Sequence, residues 1–501
     1  MASSPSVYLD KPAGSLFTFW PLPEEPQPIP PPHFAAPLGI TIPDGLYQSA
    51  LDAKVPITIA FLYAVSAKLL NSYNQSTGKK PWAISKTRAF RLFVVLHNVF
   101  LAVYSAWTFW GMFVALRSSI VSPSGPNGLA GTVDSFCKFH GTGGIGNAIT
   151  YNQEQSKWET GSGNSYLTSE GAPSRVDVGR LWNDGLAFYG WIFYLSKFYE
   201  VLDTFIILAK GRLSSTLQTY HHAGAMMCMW AGMRFMSAPI WMFVFVNSGI
   251  HAMMYTYYTI TAFNIRVPQL IKRTLTTLQI TQFLIGASYA MVHSFVYYTV
   301  PVQVPIQSAA AAASSIVSVA TTTPTAAAGL LDSLKKAVFG AAEAANGAAI
   351  VSTGDNETSA ISSSAYEIQF QKTPCITTSG ATFAIWLNVL YLAPLTYLFV
   401  SFFIASYVKR SNAEAARARA ARKSGGSEDR RLSNAMLAAE KAGWDAARSI
   451  EKEVYGQSGE SAVIDEEEDE QPIDASGSAS RVLRNRTNLN VPRANGNGKK
   501  Y

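Results

Sequence analysis

The sequence predicts an all-α polytopic membrane protein of seven transmembrane helices. Three observations carry that prediction. Of 501 residues, 48% are hydrophobic and only 15% are charged, against about 25% charged in ordinary soluble domains. The charges avoid a series of apolar blocks, each about as long as the roughly 20 residues that cross a hydrocarbon core of about 30 Å. Basic residues collect beyond alternate ends of these blocks.

The elements follow in order. Residues 1–53, proline-rich between Pro21 and Pro43, read as an irregular lumenal arm. The first twenty residues lack the basic, apolar and small-residue succession of a cleaved leader, so the first span is expected to direct insertion. Spans are expected over 54–71, 89–115, 185–209, 217–237, 240–262, 275–300 and 381–408, within a catalytic domain of residues 54–410. The segment 116–184, mostly Gly-, Ser-, Asn- and Thr-rich, reads as a long loop, and so does the Ala- and Ser-rich 301–380. An amphipathic helix is one reading of Leu330 to Ala345. From 411 the chain reads as a polar, largely disordered cytosolic tail that includes the acidic run Asp465 to Glu470.

Orientation follows from Lys79, Lys80, Lys86, Arg88 and Arg91 after the first span, Lys210 and Arg212 after the third, Arg266, Lys272 and Arg273 after the fifth, and Lys409 and Arg410 after the seventh. With seven spans all four groups share one side, the cytosol, and the N-terminus is lumenal. Cys137 and Cys375 then both lie in lumenal loops, where oxidation favours a disulfide between them. Asn356 heads a reachable glycosylation sequon, whereas those at Asn74 and Asn485 are cytosolic.

Inside the spans, polar residues recur at helical spacing. Lys197, Glu200, Asp203 and Thr204 share one face of the third span. Each charge would cost roughly 2.5–3.5 kcal/mol at mid-membrane unless paired or facing water. A structural ion-pair knot is the plain alternative. Gln218, His221 and His222 open the fourth span; imidazole serves as nucleophile, base or metal ligand near neutral pH. Asn247, His251, Tyr255 and Tyr258 line the fifth, where interhelical hydrogen bonding is the plain alternative. Thr276, Gln279 and Gln282 mark the sixth, and His97, Asn98 and Ser105 the second; packing explains these two sets equally well. All the sets lie in the cytosolic half or near the middle of their spans. The pattern describes a reactive chamber open to the cytosol beneath a blind apolar tunnel. Methionines crowd spans four and five, where core packing is the plainer account than tunnel lining.

These motifs resemble the ELO family of very-long-chain fatty acid elongases, the 3-ketoacyl-CoA synthases of the endoplasmic reticulum. The matching runs are Lys197-Phe-Tyr-Glu200-Val-Leu-Asp203-Thr204, the box ending His221-His222, Asn247-Ser-Gly-Ile-His251-Ala-Met-Met-Tyr255-Thr-Tyr-Tyr258, Thr276-x-x-Gln279-x-x-Gln282 and Leu96-His97-Asn98. The resemblance covers roughly 50–300 and 381–410, and is to a fungal-type member. The family's box is often His-x-x-His-His; here Gln218 stands first, a variant that leans toward polyunsaturated chains. The resemblance implies six of seven helices around a closed acyl tunnel and residence in the endoplasmic reticulum. It also implies condensation of a long-chain acyl-CoA with malonyl-CoA to give a 3-ketoacyl-CoA, carbon dioxide and CoA. These CoA thioesters are substrates; no cofactor, metal or nucleic acid is expected. Membrane lipid, other enzymes of the elongation cycle and a second copy of the chain are the implied partners.

The residues themselves offer a route to that chemistry. His221 attacks the thioester, His222 and Gln218 orient it, and Asn247 and His251 hold developing negative charge. Glu200 and Asp203 set imidazole protonation, with Lys197 and Thr204 beside them and Gln279 and Gln282 opposite. Tyr255 and Tyr258 donate to CoA or a carboxylate, and Lys210, Arg212, Arg266, Lys272 and Arg273 meet CoA phosphates. Cys228 lies seven residues after His221 and is a rival nucleophile. A di-iron desaturase or hydroxylase needs about eight clustered histidines; the chain has seven in all. The non-enzymatic alternative is a seven-helix receptor or transporter: a retinal protein needs a lysine in 381–408, which has none, and a transporter needs polar residues reaching both faces, whereas the lumenal ends here are apolar.

Overall fold

The computed structural model describes residues 4–21, 24–33, 37–161, 165–265, 267–305 and 366–422. Arg266, Leu330 to Ala345, Asn356, Asp465 to Glu470 and Asn485 lie outside the described residues.

Helix α1 (Asp44–Ala50) ends the N-terminal arm, and α2 (Lys54–Ser76) and α3 (Arg88–Ser119) follow. Thr87 starts α3 by accepting the Phe90 amide at 3.1 Å, satisfying a free N–H of the first turn. After α4 (Gly128–Cys137) comes a three-stranded antiparallel sheet, β2 (His140–Gly141), β3 (Ala148–Asn152) and β4 (Lys157–Thr160). A π turn at Trp182–Leu186 leads into α5 (Ala187–Tyr199), and α6 (Val201–Ala209) continues it. Then come α7 (Thr216–Arg234), the short α8 (Ile240–Met242), a π turn at Phe243–Asn247, α9 (Ser248–Ala262) and α10 (Gln269–His293). Strands β5 (Val296–Pro305) and β6 (Tyr366–Pro374) pair antiparallel from Tyr297 opposite Pro374 to Pro305 opposite Tyr366. The N-terminal β1 (Val7–Leu9) adds to β5, with Val7 opposite Tyr298. Helix α11 (Ser379–Arg422) closes the described chain.

Three of these helices, α2, α3 and the first part of α11, are long and apolar enough to cross a membrane. Their outer faces bear large exposed hydrophobic side chains, among them Phe61, Leu62, Val103, Trp110 and Leu390. Apolar area of that extent is not left against water. Helix α3 packs on α9 and α5, α9 on α10, α10 on α11, α11 on α7 and α7 on α5; α2 lies against α6 and α7. Met226, Met229, Met233 and Met242 are buried, Met229 and Met233 in the main apolar core and Met226 in a smaller one beside α2.

The expectation of an all-α chain needs correction. Two small sheets are present, and neither closes on itself. The sixth span was expected to reach residue 300, but the helix ends at His293 and 296–305 is a strand. Its Val, Tyr and Thr residues favour a pleated chain, and hydropathy does not separate a buried strand from a last helical turn. The 116–184 loop holds α4 and a sheet, the first 53 residues hold β1 and α1, and the boundary drawn at 410 falls inside α11.

The sheets gather at one end of the helices. There Cys137 and Cys375 form a disulfide with Cα atoms 4.9 Å apart, tying α4 to the start of α11. Buried Arg180 bonds Asp134 at 2.8 Å, and the Tyr298 hydroxyl donates to the other Asp134 oxygen at 2.9 Å. Arg234 holds the arm through the carbonyls of Glu25 and Pro26. At the opposite end, buried Asn74 donates to the carbonyls of Leu208 and Arg212, stitching α2 to the α6–α7 turn.

Candidate functional site

Each polar stripe is delivered by a local irregularity or a cap. Between α5 and α6 the chain tightens at Glu200: its carbonyl accepts from the Asp203 amide at 3.1 Å, three residues on. Such a turn inside a helix re-aims side chains and often marks a functional position. Lys197, Glu200, Asp203 and Thr204 flank it. On the neighbouring strand of helix, the π turn at Phe243–Asn247 ends on Asn247 and precedes His251 by one turn. Ser215 caps α7 by accepting the Gln218 amide at 3.1 Å, so the histidine box occupies the first two turns of that helix.

Three networks result. In the first, Lys197 Nζ donates to Glu200 Oε1 at 2.7 Å and to Asn247 Oδ1 at 3.1 Å, and Asn247 Nδ2 reaches Gln282 Oε1 at 3.3 Å. Ser196 donates to the same Glu200 oxygen at 3.0 Å. His251 Nδ1 stands 3.6 Å from it, beyond a hydrogen bond, and has no hydrogen-bond partner among the described residues. In the second, Asp203 is shared: His97 Nε2 lies 2.7 Å from Oδ1, and the Tyr255 hydroxyl donates to Oδ2 at 2.5 Å. The His97 ring stacks on Tyr199 with centroids 5.3 Å apart. In the third, Thr204 Oγ1 meets the Tyr63 hydroxyl at 2.8 Å and accepts from Gln218 Nε2 at 3.1 Å.

His222 is buried beside the Tyr63 ring, and the His221 and His222 ring centroids are 5.4 Å apart. His221 lies within electrostatic range of His222, His251, Lys197 and Glu200. The second face of His221 packs on Phe283 of α10 and Phe399 of α11. The structure thus brings together Lys197, Glu200, Asp203, Thr204, Gln218, His221, His222, Asn247, His251, Tyr255 and Gln282. It does not bring in the others. Gln279 donates to Met254 Sδ at 3.1 Å instead, and Tyr258, though exposed, reaches the edge of the site through its ring, 6.0 Å from that of Tyr255. Lys210, Arg212 and Arg273 stand exposed, and Lys272 half-buried, at the helix ends on the histidine-box side.

Sequence reading missed four members. Tyr63 sits on α2, which carries no polar stripe. Ser196 hides beside Lys197. Tyr199 stacks by its ring alone. Tyr391 belongs to α11, whose apolar run gives no periodic signal. His97 was set evenly between packing and function; its companion motif Leu96-His97-Asn98 was the available signal. Among the described residues no group of three His, Cys, Asp or Glu side chains has metal-binding geometry.

A buried, multi-helix set of imidazoles, carboxylates and amides inside an apolar bundle marks an integral membrane protein with a cluster of polar groups at membrane depth. The chain matches the ELO (GNS1/SUR4) family over residues 49–415, and it belongs to that family. It is 36% identical to the human very long chain fatty acid elongase 3 over 105 residues, 21% of this chain and 39% of that protein. It is 29% identical to fatty acid elongase 2 of Trypanosoma brucei over 123 residues, 24% and 45% of the two chains. A putative fatty acid elongase 2 of Schizosaccharomyces pombe is 31% identical over 121 residues, 24% and 33%. The matched stretches thus span between about a third and under half the length of these relatives. No solved structure matches the chain.

Proposed function

We propose that this protein is a membrane-embedded acyltransferase of fatty acid elongation, a 3-oxoacyl-CoA synthase that condenses a long-chain acyl-CoA with malonyl-CoA. The observation that carries the reading is the junction of Lys197, Glu200, Asn247 and Gln282, with His251 beside Glu200 and the box histidines in electrostatic reach. A thioester carbonyl among these groups meets a nucleophile and donors for the oxyanion at once.

The order of helix neighbours supports a tunnel of six helices, α3, α9, α10, α11, α7 and the α5–α6 pair, with α2 outside. In this reading all seven segments cross the endoplasmic reticulum membrane and the sheet end is lumenal, where a disulfide persists. The exposed bases at the other end, Lys210, Arg212 and Arg273, meet CoA phosphates from the cytosol, and the acyl chain runs toward the sheets.

His221 Nε2 adds to the thioester carbon, the C–S bond breaks, and CoA leaves as its thiolate to take a proton from water. Malonyl-CoA then loses carbon dioxide. The resulting enolate carbon attacks the acyl group, and the C–N bond breaks to restore His221. Asn247 and His251 steady the oxyanion of both additions.

Membranes from an elongase-deficient host expressing the chain, given long-chain acyl-CoA and radiolabelled malonyl-CoA, test this. Labelled 3-ketoacyl-CoA two carbons longer is expected. Folded protein that incorporates no label from any acyl-CoA between medium and very long chains overturns it.

A further inference from the structure

His221 has a partner on α11 that fixes its chemistry. The Tyr391 hydroxyl donates to the His221 carbonyl at 2.9 Å and lies 3.0 Å from His221 Nδ1. A phenol has one hydrogen. A carbonyl oxygen supplies none, so that hydrogen goes to the carbonyl. The contact to Nδ1 is then made by a lone pair of the phenol oxygen, and Nδ1 must carry the proton. A neutral imidazole protonated at Nδ1 keeps its lone pair on Nε2.

The surroundings are shaped to hold this phenol. Tyr391 is buried. A Cβ at residue 224 would lie 2.1 Å from its ring, so Gly224, one turn beyond Tyr220, leaves the room the ring occupies. Tyr220 packs against the same ring at 5.5 Å and donates its hydroxyl to the Tyr391 carbonyl at 3.3 Å. Each phenol therefore donates across the α7–α11 seam to a main-chain carbonyl, Tyr220 to that of Tyr391 and Tyr391 to that of His221. Inside a low-dielectric bundle such a contact resists exchange with water.

We infer that Tyr391 is a positioning residue that holds His221 as the Nδ1-protonated tautomer and thereby makes Nε2 the attacking atom. The step rests on the acyl-transfer reading above. Attack by Nε2 on the thioester carbon leaves a positively charged acyl-imidazole with its Nδ1 proton retained, and the departing thiolate carries away the electron pair of the C–S bond. The Tyr391 oxygen accepts more strongly from that cation than from neutral imidazole. Enolate attack returns the electron pair of the C–N bond to Nε2, so no proton crosses the histidine during the cycle.

Two measurements on the purified full chain test it. Long-range 1H–15N correlation of 15N-histidine protein, with the His221 signal assigned by its loss in His221→Ala, reads the tautomer whether or not the protein elongates anything. Protonated Nδ1 is expected in the wild type, and a shift toward Nε2 protonation in Tyr391→Phe, which keeps the ring. Stoichiometric CoA release from long-chain acyl-CoA without malonyl-CoA reads the first half-reaction. Tyr391→Phe should slow it by about 10–100-fold, the range seen when a histidine loses its orienting partner, while KM stays within about twofold. Nε2 protonation in the wild type overturns the inference even if the variant fails to fold. A variant with wild-type tautomer and wild-type release rate overturns it too. Absence of any CoA release from wild type sinks the acyl-transfer reading instead, and the tautomer still decides the role of Tyr391.

Discussion

Two buried ion pairs sit at different levels of the molecule, one at the sheet end and one midway along the α5–α6 segment, and they differ in what surrounds them. Arg180 and Asp134 are each 2% exposed; Lys197 and Glu200 are 5% and 3% exposed. Burial alone does not tell them apart. At the sheet end, Arg180 donates to the carbonyls of Thr142, Lys138 and Gly144 as well as to Asp134, and Asp134 also accepts from Tyr298. Each carboxylate oxygen there has its own donor. At the histidine site, one Glu200 oxygen serves both Ser196 and Lys197. A saturated pair is a rivet. Both sites leave a buried imidazole nitrogen without a hydrogen bond among the described residues, His140 Nδ1 and His251 Nδ1, so the difference lies in the carboxylates: Asp134 has a donor for each oxygen, whereas Glu200 crowds two donors on one.

Substitutions at the two sites should separate these roles. His221→Ala is expected to cut turnover about 1,000-fold or more, as deletion of a covalent nucleophile does, with a thermal midpoint close to wild type; normal turnover would dissolve the contrast. Arg180→Met should do the reverse. It strands Asp134 and should cost about 3–5 kcal/mol of stability, read as loss of folded protein in a thermal-shift assay, while the fraction that folds turns over normally.

Acid is a gentler probe of the sheet end. His140 is buried, which, with the Arg180 charge second, lowers its pKa from 6.5 to about 3. The folded state therefore binds fewer protons than the unfolded chain between those values. Stability is full above the unfolded value and falls as the pH drops below it. Between about pH 7.5 and about pH 5 the loss should be on the order of 2 kcal/mol. A His140→Gln variant should lose that increment of acid sensitivity, and an unchanged slope would refute the assignment. The smallest effect is expected for Tyr255→Phe. Losing its bond to Asp203 should lower turnover roughly tenfold, about 1.4 kcal/mol, with little change in melting; a loss of folding instead would class that network with the rivets.

Much of this was legible in one dimension. Lys197, Glu200, Asp203, Thr204, Asn247 and His251 stood out because charge and amide are costly at membrane depth, so their regular spacing is itself a signal. The seven predicted spans each centre on described helix; the fourth runs three residues past α7 and the sixth seven residues past α10, the last five of them in β5. What stayed hidden was of two kinds. Strand and helix ends blurred where hydropathy continued through a change of backbone, as after His293. Partners that are single phenols on otherwise apolar helices, Tyr63 and Tyr391, carried no periodicity to detect.

The amino-acid sequence alone set that the chain crosses lipid and which helices bring polar groups into it, because the cost of burying polar groups is a property of each residue and its neighbours along the helix. Only the tertiary structure decided which atom meets which: that Glu200 takes Lys197 and faces His251, that Asp203 turns to His97 and Tyr255, and that His221 is held by Tyr391. Those choices depend on contacts between residues up to 170 positions apart, and hydrogen bonds fade within a fraction of an ångström, a scale that no pattern along the chain can encode.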